Sequence, residues 1–256
     1  MTTSRLVSTR APRGPRASGR RGGPRTPRAR LALAIGAVVL LAASVTACGD
    51  APIAPEPTAV TGAGDGVIED RTTGDVERIS VAADIDVVIR TGQSPSVMLE
   101  GQANVLPTVH TETRDGQLIV NVPSPGFVST HRVVLTVVVP AVAAVTLSGD
   151  ARGTVELSTP VLRIDLSGRA ALGGTGHVDA LTLVASSDAR LDFSAVTTTT
   201  AVVTMSGGAA ATVDVSGSLS GEASGGATLT VVHPPAILNV ATTSGASVQG
   251  ASPSPQ

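Results

Sequence analysis

The chain contains no tryptophan, no tyrosine and no lysine, and only two phenylalanines, Phe127 and Phe193. Sugar sites commonly use aromatic platforms, and polysaccharide-cleaving clefts use basic groups beside carboxylates. Their scarcity argues against an ordinary lectin and against a glycan-cleaving enzyme, with arginine and aspartate left as substitutes. Few rings also suit a thin interior of Val, Leu, Ile and Ala. Cys48 is the single cysteine, so no internal disulfide forms. No stretch after Cys48 shows helical periodicity with caps, which removes an α-helical core.

Acidic residues are also missing from the N-terminal segment. Residues 1–47 contain no Asp or Glu, and nine arginines fall between Arg5 and Arg30. Leu31 to Ala47 is then an uncharged apolar run. A basic flank followed by a short apolar core is an export signal; a membrane-spanning anchor is the competing reading, and 17 residues lies at the short limit for it. Val45-Thr46-Ala47-Cys48 has the form of a bacterial lipobox. The sequence thus predicts a signal peptide over 1–47, removed on export, and lipidation of Cys48. Two acyl chains there give stable anchoring to the cell membrane, where one is marginal. Arg20-Arg21 admits twin-arginine export, but Gly22-Gly23-Pro24 lacks the apolar residues of such signals.

From Cys48 onward the charge reverses. All 20 acids lie there with only nine arginines, so this part carries about −11. An acidic body repels a phosphate backbone, and no nucleic-acid partner is expected. Residues 48–66 are rich in Pro, Gly, Ala and Thr and read as a flexible tether. Residues 249–256 read as a disordered tail. Between them, 67–248 suffices for one domain.

That domain reads as all-β. Ser80 to Arg90 alternates around Ile85, Val87 and Ile89, and Val97 to Glu100 is a further short strand. Thr108–Thr113 and Leu118–Val122 flank Asp115-Gly116, a hairpin turn signal. Val133 to Val139 is a continuous apolar strand closed by Pro140. A phrase then recurs: Ser148-Gly149, Ser167-Gly168, Ser186-Ser187, Ser206-Gly207, Ser224-Gly225 and Ser244-Gly245. The steps are 19, 19, 20, 18 and 20 residues. Each serine is followed three residues later by Ala151, Ala170, Ala189, Ala209, Ala227 or Ser247. Apolar alternation flanks each phrase, as at Leu162, Ile164 and Leu166 before Ser167. Strand, Ser-Gly corner, strand, turn is one coil of a β-solenoid, whose apolar faces are covered only by neighbouring coils. Glycine permits the corner, and the alanine points into a narrow interior.

Chemistry-bearing constellations are sparse. His110, His131, His177 and His233 are scattered and pair with no cysteine, so no metal spacing arises. No G-x-S-x-G elbow, P-loop or dinucleotide fingerprint is present; no catalytic residue and no cofactor is assigned. Gly173 to Asp179 is similar to a calcium-binding nonapeptide, but its Asp comes one residue late and without a tandem copy. One constellation stands out. In-register stacking would align Asp150, Arg169 and Asp188 as a ladder about 4.8 Å per rung, with Arg152 and Arg190 on the same edge two rungs apart. The ladder serves register control or, alternatively, a surface recognition stripe.

Val76 to Val81, Ile85 to Ile89 with Gly92, Val97 to Gly101, Asp115 to Val120, Val137 to Pro140 and Leu147-Ser148-Gly149 together resemble the bacterial head GIN domain, whose name describes an autotransporter-adhesin head. The resemblance covers roughly 67–248. It implies a single-stranded right-handed parallel β-helix of ~19-residue coils on a secreted or lipid-anchored protein, here preceded by short strands and a hairpin. It transfers no catalytic residues. The phrase departs from the pattern at Ser186-Ser187 and weakens at Thr243-Ser244, so the final coil is expected as a cap. The resulting expectation is a non-enzymatic, lipid-anchored binding or adhesion-type module, with an unknown envelope or extracellular partner. Two alternatives stay open: an envelope enzyme acting on polysaccharide, and a small-ligand carrier or sensor, which needs a sizeable pocket.

Overall fold

A computed structural model describes residues 57–72 and 74–250. The expected signal peptide, Cys48 and the last six residues lie outside the described residues. The N-terminal strands are β1 (Val60–Thr61), β2 (Gly66–Arg71), β3 (Arg78–Ala82), β4 (Asp86–Thr91) and β5 (Ser96–Gln102). A 3-10 turn at Leu106–Thr108 leads to β6 (His110–Arg114), β7 (Gln117–Asn121), β8 (Phe127–Val128) and β9 (Val134–Val139). The repeating half comprises β10 (Ala144–Ser148), β11 (Arg152–Leu166), β12 (Ala171–Ala185), β13 (Arg190–Met205) and β14 (Ala210–Ala223). It finishes with β15 (Thr228–Val231), β16 (Ile237–Thr242) and β17 (Ser247–Gly250). No α-helix occurs among the described residues. The fold is the all-β solenoid of stacked parallel coils that the Ser-Gly period predicts.

Two columns of parallel strands build the stack. Before the corner the order is β7, β3, β10, then the second halves of β11 to β14, then β16. After the corner it is β9, β4, the first halves of β11 to β14, then β15 and β17. The strands expected to precede the solenoid are therefore part of it, and their spatial order is not their sequence order. The β3–β4 coil comes first along the chain. The chain then turns back through β5 and β6, passes outside that coil as β7 to β9, and crosses to its other side as β10. Ser80 to Arg90 is not one strand: the chain bends at Ala83-Asp84, where Ala82 registers with Ser148. Asp115 and Gly116 have φ of 51° and 74° and close the β6–β7 hairpin.

The segment expected to be a tether is held before it ends. β1 pairs with β8, and Asn104 Nδ2 donates to Thr61 O at 2.7 Å. Backbone hydrogen bonding, which composition does not register, recruits these residues. At the other end, Gln249 and Gly250 belong to β17 rather than to a tail.

The core follows the alternation. Val145, Leu147, Leu162, Ile164, Leu166, Leu181, Leu183, Val203 and Met205 are buried, as are Leu191, Phe193, Val213, Val215, Leu229 and Val231. Where two consecutive residues face outward, as at Pro160-Val161 and Thr199-Thr200, the alternation changes phase and the coil bends. At each Ser-Gly corner the second residue is left-handed: φ is 73° at Gly149, 72° at Gly168, 61° at Ser187, 67° at Gly207 and 67° at Gly225. The following alanines Ala151, Ala170, Ala189, Ala209 and Ala227 are fully buried.

Gly207 meets two constraints at once. Its φ is left-handed, and an added Cβ would lie 2.9–3.0 Å from the backbone of Ser187 one coil away. Gly207→Ala should cost about 1–3 kcal/mol and lower the midpoint of thermal unfolding by several degrees. Ser187→Gly relieves a left-handed non-glycine and should raise the midpoint, the native state gaining about 0.5–1 kcal/mol after the extra chain entropy of glycine. Thermal melts followed by far-UV circular dichroism check both; equal melts for the two variants would refute this account of the corner.

Candidate functional site: a charged edge

Each corner presents the residue before the buried alanine to solvent, and stacking brings those residues together. Arg169 N donates to Gly149 O at 2.8 Å and Asp188 N to Gly168 O at 2.9 Å, so the corners sit one above the next. Arg169 Nε donates to Asp150 Oδ1 and its NH2 group to Asp150 Oδ2, both at 2.5 Å, a bidentate pair across adjacent rungs. Arg152 registers with Ala171 and Ala171 with Arg190, which places the two arginines in one column with a small residue between. Arg152, Asp188 and Arg190 are exposed, and among the described residues their side chains form no hydrogen bond or ion pair.

The structure adds three residues that sequence reasoning missed. Asp84 precedes buried Ile85, and Arg132 precedes buried Val133, as Asp150 precedes Ala151. Arg132 bonds Asp84 at 2.8 Å and Asp86 at 2.7 Å. Arg132, Asp84, Asp150, Arg169, Asp188, Arg152 and Arg190 line one open groove of about 640 Å³. The only sequence signal was a charged residue before a buried one at a bend, at 84 and 132, without the Ser-Gly phrase to mark it. Strict alternation fails at one step. Asp84 and Asp150 are like charges on neighbouring rungs, where β3 meets β10. Each draws its own arginine from the opposite side, which offsets their repulsion.

The electrostatics follow these contacts. The hydrogen bond from Arg169 holds the Asp150 carboxyl below its ordinary range, with the charges of Arg169, Arg152 and Arg132 helping against desolvation. Arg169 is raised by its bond to Asp150. Partial desolvation opposes the charge of Arg132, but hydrogen bonds and attraction from Asp86 and Asp84 outweigh it, and its pKa is raised.

Other polar groups are explained locally. Asp192 is lowered by hydrogen bonds from the Ser194 hydroxyl and backbone N–H. His177 contacts Asp179 at 2.9 Å, and His233 contacts Asp214 at 2.9 Å. Among the described residues no three His, Cys, Asp or Glu side chains converge. Gly174 has a packing role: a Cβ there would lie 2.5 Å from Phe193 Cε1, so this glycine makes room for the one large ring in the repeats.

The solenoid thus has an apolar interior and a charged groove along one corner edge. Residues 75–235 match the family described as "Putative auto-transporter adhesin, head GIN domain", and the chain belongs to that family. Among solved structures, one described as a putative adhesin from Bacteroides fragilis is 9% identical with a TM-score of 0.59, covering 74% of this chain and 98% of that one. Two others have TM-scores below 0.5. A putative adhesin from Parabacteroides merdae is 16% identical with a TM-score of 0.48, covering 75% and 98%. A putative lipid binding protein from Parabacteroides distasonis is 11% identical with a TM-score of 0.44, covering 75% and 98%. No curated protein matches the sequence.

Asp150 provides a pH test. Its folded pKa is lowered, so its stabilisation is present above the unfolded value of about 3.9 and is lost as pH falls through the folded value. Asp150→Asn should therefore melt about 1–3 °C below the unmodified chain at pH 7, and the gap should close towards pH 2. Arg169→Asp, which places four carboxylates on successive rungs with Asp84, Asp150 and Asp188, should also lower the melt, by less in 1 M NaCl. Unchanged melts for both would exclude the pairing.

Proposed function

We propose that the protein is a non-enzymatic binding module at the bacterial cell envelope, anchored by lipid at Cys48 and held off the membrane by the segment up to β1. The adhesion-type reading rests on the family. The observation that carries a binding role is the charged edge, where Arg152 and Arg190 stand free two rungs apart with Asp188 beside them. Free guanidinium groups at fixed spacing suit carboxylate or phosphate groups of an envelope or extracellular partner. The acidic remainder of the body restricts such a partner to this edge. The carrier alternative lacks support, since the interior is filled by Phe193, Leu99, Leu135, Leu147 and their neighbours. No specific observation favours the polysaccharide-enzyme alternative.

Two experiments test the two halves of this reading. Cys48→Ala should abolish the mobility shift caused by globomycin and release the protein from the membrane fraction; unaltered processing and membrane association would refute the anchor. Vesicles displaying the full chain should retain an envelope extract component that Arg152→Glu with Arg190→Glu loses, at unchanged melting temperature. Equal retention by the double variant would remove the charged edge from the function.

A further inference from the structure

The two ends of the stack differ. At one end β6 runs antiparallel along β7, β5 along β9, and β2 along β5. These covering strands carry Glu69, Asp70, Arg71, Glu100, Glu112 and Arg114. At the other end, among the described residues, no strand lies beyond β16 or β17. Thr243 N donates inward to Ala223 O and Ser247 N to Ala227 O, both at 2.9 Å. Backbone groups of successive strand residues point to opposite sides, so Thr242 and Val248 direct theirs to the open edge. Leu238, Val240, Ala246 and Val248 pack on the core with only partial burial, and Ile237 is 62% exposed.

Edge strands are normally guarded by charge. This one is not: no Asp, Glu, Lys or Arg follows Glu222. Elsewhere the body is acidic and two copies repel; at this end the outermost strands, β15 to β17, carry no charge.

We propose that the open end pairs with the same end of a second copy. A two-fold axis perpendicular to the stack sets β16 antiparallel to the β16 of the other copy, and β17 likewise. The contact is self-complementary, and the edge strands of the opposite end, β2 and β6, carry charges that guard them against pairing, so the product is a closed dimer rather than a filament. β1 and β2 lie at the covered end, so the chains arrive at the two far ends of the pair. The contact is independent of the lipid anchor.

Sedimentation of the full chain in mild detergent tests it, with Cys48→Ala alongside to separate association through the lipid. Both should form dimers at tens of micromolar. Thr242→Pro, which removes an edge-facing N–H without breaking a ladder bond, should weaken dimerisation by about tenfold or more. So should Asn239→Lys with Gln249→Lys, which brings like charges together across the axis. Melting temperatures measured at dilutions where all forms are monomeric should stay the same. A monomer at all concentrations, a dimer unaffected by both variants, or particles that grow without limit would each overturn the proposal. A monomer whose Leu238–Thr242 amides resist hydrogen exchange would overturn it too, and would assign the edge to the chain's own C-terminal residues.

Discussion

Everything in this fold depends on keeping the corners in register at a rung spacing of about 4.8 Å. A left-handed residue turns the chain, and the next residue points inward where successive corners leave almost no width. Alanine fits there, which is why Ala151, Ala170, Ala189, Ala209 and Ala227 are fully buried. Glycine at Gly168, Gly207 and Gly225 lets each corner approach the backbone of the one before it. The same limited width decides how a large ring is accommodated: Phe193 fits because the coil beside it offers Gly174.

Register has an electrostatic consequence. A stack aligns equivalent residues whatever their charge, so the charges at one position must be compatible across coils. Asp150 and Arg169 satisfy this directly. Asp84 and Asp150 do not, and the structure answers with Arg132 on one side and Arg169 on the other. Arg169 is 73% exposed, so water and salt screen the pair. The backbone ladder and the apolar core hold the coils together. The charges act mainly against slipped registers, in which like would meet like.

The repeating half was legible because its signal is local and periodic. Apolar alternation, the Ser-Gly phrase and the following alanine all lie within ten residues, so period alone aligns them. The N-terminal half carried the same alternation but not its order. Nothing in Ile85, Val87 and Ile89 reveals that β9, some 45 residues later, will lie outside them. That pairing is a choice among long-range contacts, which local pattern does not encode. Asp84, Asp86 and Arg132 were missed for this reason, while Arg152 and Arg190 were legible. The ordering of β1 was missed because it rests on backbone bonds to β8 and on the Asn104 side chain rather than on composition.

The interior is sealed and nearly uniform, so differences between coils appear only on the surface and at the ends. Read along the corner column from the covered end, the residues are Arg132, Asp84, Asp150, Arg169 and Asp188, then Gly208, Gly226 and Ala246. Charge is confined to the first part of the stack and stops before the open end. The two surfaces are therefore separated along one axis. Polar groups on the charged edge can meet a different molecule, while the uncharged end strands can meet only something that supplies a matching backbone edge. Because the rungs between them are rigidly stacked, occupation of one need not disturb the other. A chain pairing through its end would still present its charged edge, now twice, and two weak contacts held at fixed spacing bind more tightly than either alone.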